Sequence, residues 1–384
     1  MVKYMFLRLQ HFVDLGSESC FLWGPRQCGK STLLKQKFPH SPYYDLLLSN
    51  EFERLNRRPS LLREELIAQR PTAPVIIDEV QKIPHLLDEI QWLMVNKKIQ
   101  FVLCGSSARK LKRGGGNLLG GRALRYELFP LVSAEIPGFD LTRALNHGCL
   151  PRHYVSRTPE LLGRSYVGDY LKEEIAAEAL TRNVPAFARF LEAAAFSNGE
   201  IMNFTNIARE CGVSGPTVRE YFQILEDTLI ARFVSAFQKK PKRRVIRSPK
   251  FYLFDVGIAN VLLKRGAIKP GSEIFGRAFE HFILQEIIAH RHYASLEYPV
   301  SYWRTASGLE VDFILGDREI ALEIKGTQEV QPHHLRGLKA FQEEYQPKHA
   351  IAVSLDAKPR ETGGISIMPW KEFLGGLWAG SLIH

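Results

Sequence analysis

Residues 24–31 constrain the fold more than any other part of this chain, because they have the pattern G-x-x-x-x-G-K-S. The apolar run of residues 20–23 before them is typical of a buried strand, and a segment with helical character begins at Ser31. In such a strand–loop–helix unit, glycines let backbone N–H groups surround a phosphate at the N-terminus of the helix. The pattern therefore predicts a phosphate-binding loop on an α/β scaffold.

The residue types in this loop have distinct roles toward a nucleotide. Lys30 is expected to contact the β- and γ-phosphates of ATP, and Ser31 to coordinate Mg²⁺. The predicted nucleotide contacts are Gly24, Pro25, Arg26, Gln27, Cys28, Gly29, Lys30, Ser31 and Thr32. The sequence thus predicts ATP and Mg²⁺ as the cofactors of the chain.

A second motif, residues 73–81, is a short apolar run that ends in Asp78 and Glu79. A buried parallel strand delivers such residues to the edge where open α/β sheets bind ligands. Asp78 is predicted to hold Mg²⁺ together with Ser31, and Glu79 to polarise the attacking water. An acidic loop at the end of a strand is the alternative, and the intact phosphate-binding loop argues against it.

Three more polar residues are candidates to complete the site. Ser106 and Ser107 follow a third apolar run, residues 100–104, where one of them could sense the γ-phosphate or the attacking water; plain loop serines are an equal alternative. Arg122 lies in a glycine-containing stretch and could act as an arginine finger on the nucleotide of a neighbouring subunit in a homo-oligomer. An exposed arginine without that role is the alternative.

Charge and cysteine content indicate which kind of partner and which cellular compartment to expect for the chain. The 51 Lys and Arg residues exceed the 41 Asp and Glu residues, and the net charge of +10 favours an acidic partner, usually nucleic acid. The 5 cysteines have no paired spacing and predict reduced thiols in the cytoplasm. No apolar run reaches the roughly 18 residues of a membrane span, and an apolar signal core is lacking, so we predict a soluble protein without a membrane partner.

Residues 203–229 have the pattern of two short helices around a tight turn. The first helix is predicted over residues 203–211, the turn over 212–214 and the second helix over 216–229, with Leu229 on its apolar face. Two helices joined by a glycine-containing turn make a helix-turn-helix, whose second helix enters the major groove of DNA. The residues predicted to lead into the groove are Ser214, Thr217 and Arg219.

Two apolar runs, residues 232–237 and 251–254, flank a basic segment that would form the wing of a winged helix. Clustered Lys and Arg beside a recognition helix indicate contacts with DNA phosphates. The predicted contacts are Lys239, Lys240, Lys242, Arg243 and Arg244, with Arg247 and Lys250 nearby. The alternative is a winged module that packs against protein while its charges are simply solvated.

The last third of the chain carries a second group of charged residues. Glu280 falls on a predicted helix, Asp312 on a predicted strand, and Glu323 and Lys325 on the next strand across a turn at residues 316–318. Side chains two residues apart share a face of a strand, and in a hairpin Asp312 can share that face. Carboxylates there could bind a divalent metal that activates water, with Lys325 stabilising negative charge on a phosphodiester. Ordinary salt bridging is the alternative.

Over almost its whole length, the chain resembles the AAA+-type ATPases of bacteria and archaea that end in a domain of unknown function with a winged helix and a nuclease-like fold. The motifs that carry the resemblance are residues 24–31, 76–84, 121–122 before 128–131, 217–221, 251–257, and Asp312 with residues 323–325. The resemblance implies ATP binding. It also implies that Glu280, Asp312, Glu323 and Lys325 correspond to the PD-(D/E)xK nuclease pattern.

We therefore predict an α/β fold class with four domains: a P-loop NTPase (AAA+-like) core over residues 1–145, a helical lid over 146–197, a winged helix-turn-helix over 198–262 and an α/β nuclease-like domain over 263–384. Equal candidates for a lid arginine are Arg152, Arg157 and Arg164. The predicted function is ATP binding and hydrolysis that acts on DNA through the last two domains. The alternative is an ATP-switched regulator that binds DNA or protein and carries an inert nuclease fold.

Overall fold

The computed structural model describes residues 6–12, 18–107, 109, 111, 119–174, 184–239 and 243–383. These residues form two compact units. The N-terminal unit comprises Leu7–Pro130 and Asp227–Ile230, and the C-terminal unit comprises chiefly Leu131–Glu226 and Ala231–His384. Each unit is built around a β-sheet of its own.

The N-terminal unit contains a five-stranded parallel sheet with the strand order β2-β3-β4-β1-β5. Its strands are β1 (Ser19–Trp23), β2 (Tyr43–Asp45), β3 (Val75–Asp78), β4 (Phe101–Gly105) and β5 (Ala123–Glu127). Every residue of β1, β3 and β4 is buried, which is the pattern of parallel strands covered on both faces. The predicted mixed α/β fold with a parallel sheet is confirmed for this unit.

Helices accompany these strands, with the bounds Lys30–Lys37, Ser49–Arg57, Ser60–Gln69 and Leu86–Lys97. Leu86, Ile90 and Leu93 are fully buried on one face of the last helix, as their helical spacing predicts. They share an apolar core with Phe21 and Trp23 of β1, whose rings stack at 5.1 Å. Because burial of each such side chain contributes about 1.5–3 kcal/mol, this core fixes the strands that carry the polar site.

The C-terminal unit contains an eight-stranded mixed sheet with the order β12-β13-β11-β10-β9-β8-β6-β7. Its strands are β6 (Ala231–Ala236), β7 (Lys250–Leu253), β8 (Val300–Arg304), β9 (Glu310–Leu315), β10 (Ile320–Lys325), β11 (His349–Ser354), β12 (Arg360–Thr362) and β13 (Ile365–Pro369). β6 and β7 form an antiparallel pair, and the end of β6 pairs in parallel with β8. The strands predicted to flank a wing therefore form one edge of the sheet that also carries Asp312 and Glu323.

Helices make up most of the C-terminal unit between residues 141 and 293. Their bounds, with those of the later helices, are Leu141–His147, Pro151–Val155, Pro159–Ser165, Val184–Phe196, Phe204–Cys211, Gly215–Asp227, Val256–Leu262, Glu273–Tyr293, Arg336–Tyr345 and Trp370–Trp378. A π-helical segment, Tyr166–Glu174, follows directly on Pro159–Ser165. Within the described residues, no helix combines the length and the apolar character needed to cross a membrane.

The two helices predicted around residue 212 correspond to Phe204–Cys211 and Gly215–Asp227. Asn203 caps the first helix, because its side chain accepts a hydrogen bond from the Asn206 backbone N–H. Gly212 ends that helix with φ at 66°, a left-handed conformation that favours glycine. The predicted extension of the second helix to Leu229 is wrong, since Leu229 has φ at 60° and cannot continue a helix.

Candidate functional site

The phosphate-binding pattern lies between β1 and the helix Lys30–Lys37, at the carboxyl edge of the five-stranded sheet. The loop turns through Gln27 (φ 63°) and Gly29 (φ 97°), where the backbone is left-handed. Gly24 is required for a different reason, because a Cβ atom there would lie 2.4 Å from the carbonyl oxygen of Leu128. The glycines therefore set both the turn of the loop and its close approach to the chain after β5.

Arg8, which precedes every motif, anchors this loop. Its buried guanidinium donates hydrogen bonds to the carbonyl oxygens of Cys28 (2.6 Å) and Phe129 (2.7 Å). No sequence pattern signals this contact, since it joins positions far apart in the chain. Within the predicted loop, the exposed residues are Gln27 and Thr32, the half-buried ones are Arg26, Gly29 and Ser31, and the buried ones are Gly24, Pro25, Cys28 and Lys30.

Lys30 begins the helix, and its ammonium donates hydrogen bonds to the carbonyl oxygens of Gly24 (2.8 Å) and Pro25 (3.0 Å). Burial disfavours the ammonium form, but the thiols and carboxylates around it favour that form more, so the pKa of Lys30 lies above its usual value. Lys30 is therefore a charged donor with two neutral partners. Phosphate oxygens can replace these partners, because charge-assisted hydrogen bonds are stronger than those to neutral carbonyl groups.

Asp78 ends β3 as a buried carboxylate, and the neighbouring strand β2 brings Tyr43 to it. The Tyr43 hydroxyl donates a hydrogen bond of 2.5 Å to Oδ2 of Asp78. Burial and this hydrogen bond raise the pKa of Tyr43, while a hydrogen bond with the side chain of Ser31 opposes the shift. Tyr43 therefore joins the two residues predicted to hold Mg²⁺. Nothing in the sequence signals this role, because β2 is a three-residue strand outside every motif.

Glu79 follows in a left-handed backbone conformation (φ 59°, ψ 42°), which is costly for a residue with a Cβ atom. Its carboxylate accepts a hydrogen bond from Nε2 of Gln81, and the same nitrogen donates to Oγ of Ser106 at 3.2 Å. Gln81 fits only because residue 105 is glycine: a Cβ atom on Gly105 would lie 2.2 Å from Oε1 of Gln81. The predicted catalytic carboxylate and one candidate sensor serine are thus connected through Gln81.

The structure distinguishes the two serines that follow β4. The Ser107 hydroxyl donates to the carbonyl oxygen of Asp227 (3.1 Å) and accepts a hydrogen bond from the backbone N–H of Arg109 (3.0 Å). The Arg109 guanidinium pairs with the Asp227 carboxylate at 2.6 Å. Ser107 therefore fastens the segment Asp227–Ile230 to the N-terminal unit, whereas Ser106 is connected to the acidic end of β3.

The predicted arginine finger and lid arginines are surface residues. Arg122 is exposed, and its guanidinium donates a hydrogen bond of 3.4 Å to the carbonyl oxygen of Leu119. Exposure fits both roles considered for Arg122, a finger for a neighbouring subunit and a solvated arginine. The three lid candidates are likewise exposed, namely Arg152, Arg157 and Arg164. Both assignments therefore stay predictions.

Buried and half-buried charged side chains gather on β7, β9, β10 and the helix Glu273–Tyr293. We call this group the acidic cluster: Glu280, Asp312, Glu323, Lys325 and Lys250. The antiparallel register of β9 and β10 places Asp312 opposite Glu323, and both are 5% exposed. Oδ2 of Asp312 accepts a hydrogen bond from the backbone N–H of Ile324 (2.7 Å), and Lys325 pairs with Glu323 at 2.5 Å. The strand residues of the cluster therefore meet on one face of the sheet.

Glu280 joins the acidic cluster from the long helix. Its Oε1 accepts hydrogen bonds from Nζ of Lys250 (3.1 Å) and from the hydroxyl of Tyr252 (2.5 Å). Lys250 is buried and also pairs with Glu310 at 2.7 Å. Burial opposes the charge of Lys250, but Glu280 and the neighbouring acids raise its pKa well above the usual value. Lys250, which the sequence grouped with the basic wing, is instead the buried counter-ion of two carboxylates.

Burial also has the largest effect on the pKa values of Asp312 and Glu323, the two strand carboxylates of the acidic cluster. It raises the pKa of Asp312 well above the usual value, with Glu323 adding to the effect. It raises the pKa of Glu323 to about 7, although Lys325 opposes the shift. Of the residues that the structure describes, no three Asp, Glu, His or Cys side chains are grouped so as to hold a metal ion. In the described residues, the Glu280 and Glu323 carboxylates of the acidic cluster pair with its two lysines, and its role in metal binding stays a prediction.

The basic segment predicted to contact DNA is partly paired within the C-terminal unit. Lys239 forms an exposed ion pair with Asp317. Arg243 pairs at 2.8 Å with the carboxylate of Glu344, whose side chain is almost fully buried. The contacts of Lys239 and Arg243 therefore support the alternative in which this segment packs against protein. Of the other predicted contacts, Arg244 is exposed, while Lys240 and Lys242 lie outside the described residues.

The predicted recognition residues lie near the start of the helix Gly215–Asp227. Oγ1 of Thr217 lies 2.8 Å from Oγ of Ser214, and its backbone N–H donates to the same oxygen (3.3 Å). The Arg219 guanidinium is exposed and lies 4.8 Å from the centroid of the Phe204 ring. Thr217 therefore takes part in the start of its helix, and base contact stays a prediction for both residues.

Three family models match consecutive parts of the chain. Residues 17–136 match an AAA domain, residues 138–269 match a domain of unknown function (DUF8612), and residues 275–373 match another domain of unknown function (DUF4143). The AAA match spans the five-stranded sheet and its phosphate-binding loop. Family resemblance and geometry therefore agree for the N-terminal unit.

Comparisons with individual proteins give less information about this chain than the family models do. Uncharacterized proteins of Mycobacterium tuberculosis and Mycobacterium bovis are each 26% identical over 318 residues, covering 80% of this chain and 70% of theirs. A signal transduction ATPase with numerous domains from Pyrococcus horikoshii, which has a tetratricopeptide repeat sensor, is 15% identical with a TM-score of 0.22. That match covers 73% of this chain but only 46% of the other, and so low a TM-score carries no inference. The AAA match and the sheet geometry together support an AAA+-type P-loop ATPase core.

Proposed function

We propose that the chain binds ATP with Mg²⁺ through its N-terminal unit and hydrolyses it. The observation that carries the proposal is the meeting of Lys30, Asp78 and Glu79 at one edge of the five-stranded sheet, where the two carboxylates help to raise the pKa of Lys30. A cationic donor, two carboxylates and a loop of backbone N–H groups are the set of groups that a nucleoside triphosphate requires.

Ser31 and Asp78 fit Mg²⁺ by their chemistry, since this ion takes oxygen ligands and keeps several waters in phosphate sites. The Tyr43 hydroxyl donates to Oδ2 of Asp78, and the side chain of Ser31 is near enough to lower the pKa of Tyr43, so the oxygens of Ser31 and Asp78 lie near the same hydroxyl. When bound, Mg²⁺ would neutralise charge on the β- and γ-phosphates. Tyr43 would compete with Mg²⁺ for Oδ2 of Asp78, the oxygen that accepts its hydrogen bond.

Glu79 is the group that we assign to polarise the attacking water. Its carboxylate is occupied by Nε2 of Gln81, which also contacts Ser106. A γ-phosphate oxygen that accepted the Gln81 N–H in place of Glu79 would leave the Glu79 carboxylate free to accept a proton from water. Gln81 is therefore a positioning residue, whose hydrogen bonds couple the presence of the phosphate to the availability of the base.

The test of this function compares Lys30→Ala with Lys37→Ala, an exposed lysine in the last turn of the same helix. Lys30→Ala should lower ATP turnover by about 100-fold or more, because it removes a donor that stabilises phosphate charge. Lys37→Ala should leave turnover unchanged. Titration with a fluorescent ATP analogue measures binding, and phosphate release measures turnover. Normal turnover in Lys30→Ala would mean that this loop does not take part in ATP hydrolysis.

A second candidate function, cleavage of phosphodiester bonds, belongs to the acidic cluster of the C-terminal unit. What favours it is the placement of Asp312, Glu323 and Lys325 on one face of two adjacent strands. Two carboxylates and a lysine can serve metal-assisted hydrolysis once a metal displaces the internal pairs. The competing function is that of an ATP-switched regulator, in which the same residues only hold the fold together.

Supercoiled plasmid DNA incubated with the full chain and Mg²⁺ or Mn²⁺ separates these functions. Nicking that is lost in Asp312→Asn but retained in Lys30→Ala would establish a nuclease that is independent of ATP. Salt-sensitive binding without nicking would favour a DNA-binding regulator, since phosphate contacts weaken with salt. Absence of both would favour a protein partner.

A further inference from the structure

A cavity of about 1000 Å³ lies within the C-terminal unit. Its described lining comes from residues 142–168 and from residues 257–270, which include the turn after the helix Val256–Leu262. Small-molecule sites commonly have volumes of about 300–1,000 Å³, so the cavity is large enough for a metabolite. Neither the nucleotide site nor the acidic cluster contributes to this lining.

The charged side chains that line the cavity are mostly cationic. The four cations are Arg164, Lys264, Arg265 and Lys269. The carboxylate of Glu160 also lines it, and this group lies 3.5 Å from Nδ1 of His147. Within the part of the chain that the structure describes, none of the four cations forms an ion pair with a carboxylate. A concave site with uncompensated positive charge concentrates anions.

Arg265 indicates that the positive charge of the cavity is not confined to solvent-exposed side chains. The side chain is half-buried, and among the described residues its guanidinium donates to a neutral group, Oδ1 of Asn260, at 3.4 Å. Burial, with Arg277 nearby, lowers the pKa of Arg265 below its usual value, as expected for a cation that lacks a counter-ion. The backbone also holds the residue in place, since its N–H donates to the carbonyl oxygen of Asn260 at 3.0 Å. An anion would supply the missing counter-charge.

His153 provides a second, independent observation. It is 1% exposed and lines the cavity, and its Nε2 has no hydrogen-bond partner among the described residues. Burial lowers the pKa of His153 to about 4, so its imidazole is neutral at pH 7. Buried polar atoms are rarely left without a partner, because the missing hydrogen bond is unfavourable. A polar atom of a ligand in the cavity would satisfy this nitrogen.

The rest of the wall includes the apolar side chains of Val167, Val261 and Ile268. This wall is closely packed, since a Cβ atom on Gly163 would lie 2.6 Å from Cγ2 of Val261. The helices Pro159–Ser165 and Val256–Leu262 are therefore in close contact beside the cavity. We propose that the cavity binds a small organic anion, with its charged group at Lys264 and Arg265 and its apolar body against this wall.

Anilinonaphthalene sulfonate, an aromatic anion that fluoresces in apolar sites, tests the proposal, with the neutral phenylnaphthylamine as its matched control. The full chain should bind the anion saturably and about fivefold or more tightly than the neutral probe, because of the uncompensated cations. The combined substitution Lys264→Gln and Arg265→Gln should remove this preference. Lys339→Gln, an exposed lysine elsewhere in the C-terminal unit, should leave it unchanged.

Ala267→Trp adds a large side chain at the lining of the cavity and should weaken both probes. Equal affinities of the two probes for the unaltered chain would overturn the proposal. So would binding of the anion that is unchanged in both Ala267→Trp and the double glutamine variant, since the probe would then lie elsewhere. Circular dichroism identifies any variant that has lost its fold, and if Ala267→Trp unfolds, the double glutamine variant decides the matter.

Discussion

The proposed nucleotide site around Lys30, Asp78 and Glu79 and the acidic cluster both bury charged residues beside a β-sheet, but they satisfy those charges differently. In the nucleotide site, Lys30 donates to two neutral carbonyl groups and Asp78 accepts from a phenol. In the acidic cluster, Lys250 is paired with Glu280 and Glu310. A neutral partner can be exchanged for a ligand at small cost, whereas a buried ion pair that loses one member leaves an uncompensated charge. The first arrangement suits binding, and the second suits structural support.

The largest effect expected from this difference is that of Lys250→Met. Loss of the ammonium leaves Glu280 without its counter-ion and Glu310 with Arg304 alone, so the free energy of unfolding should fall by about 3 kcal/mol. Lys348→Met, the same substitution in an exposed pair with Glu319, should change it by less than about 1 kcal/mol. Urea denaturation of the full chain measures both. Equal stability of the two variants would mean that ion pairing does not hold the acidic cluster together.

The next largest effect is expected from Glu79→Gln in the proposed nucleotide site, which should reduce ATP hydrolysis without reducing the stability of the fold. Glu79→Gln keeps the shape of the side chain but removes the proton acceptor, so hydrolysis should slow by about 100-fold while ATP affinity changes by less than about twofold. Steady-state kinetics and nucleotide titration measure the two quantities, and a thermal melt measures stability. A loss of stability as large as that of Lys250→Met would contradict the distinction between the two regions.

The loop and the acidic strand end that we propose as the nucleotide site can be located in the sequence because their determinants are local. Gly24, Gly29 and Lys30 act through the backbone of one loop, and Asp78 and Glu79 simply end the next buried run. Tyr43 enters the site only because β2 lies beside β3. Such an arrangement depends on strand order, which no local pattern records.

In the C-terminal unit, too, local sequence patterns predict only part of the arrangement of charged residues. The period of two in β9 and β10 correctly indicates that Glu323 and Lys325 share a face. Lys250, however, follows a run of basic residues that locally resembles a solvated wing. Its burial depends on β7 lying at the edge of an eight-stranded sheet and on the distant helix that carries Glu280. Long-range packing decides whether a lysine is solvated or serves as a counter-ion, so local sequence alone could not identify its role.

A smaller effect is expected from pH. Burial raises the pKa of Glu323 to about 7 from an ordinary value of 4.5, so the folded chain holds a proton that the unfolded chain releases. The stability that this proton contributes is fully present below pH 4.5 and is lost as the pH rises through about 7, with a slope of at most about 1.4 kcal/mol per pH unit. Other groups titrate in the same range, and the difference in unfolding free energy between the unaltered chain and Glu323→Gln restricts the comparison to Glu323 and to Asp312, whose pKa depends on it. A difference that does not vary with pH would mean that Glu323 is solvated.

The smallest effect concerns the exchangeable partner that distinguishes the nucleotide site. The Tyr43 hydroxyl donates to Oδ2 of Asp78, so we expect it to compete with Mg²⁺ for this oxygen, and Tyr43→Phe removes that competition. The Mg²⁺ concentration that gives half-maximal hydrolysis should fall about fivefold, which corresponds to about 1 kcal/mol, the size of one net hydrogen bond. Tyr44→Phe is the matched control, because Tyr44 points to the other face of β2, where its hydroxyl donates to Glu65 at 3.2 Å. A higher Mg²⁺ requirement would mean that the hydroxyl orients Asp78 as a ligand, and an unchanged one would mean that Asp78 lies outside the metal site. In either case the Asp78 carboxylate would not exchange its partner for a ligand, and the nucleotide site would resemble the acidic cluster in this respect.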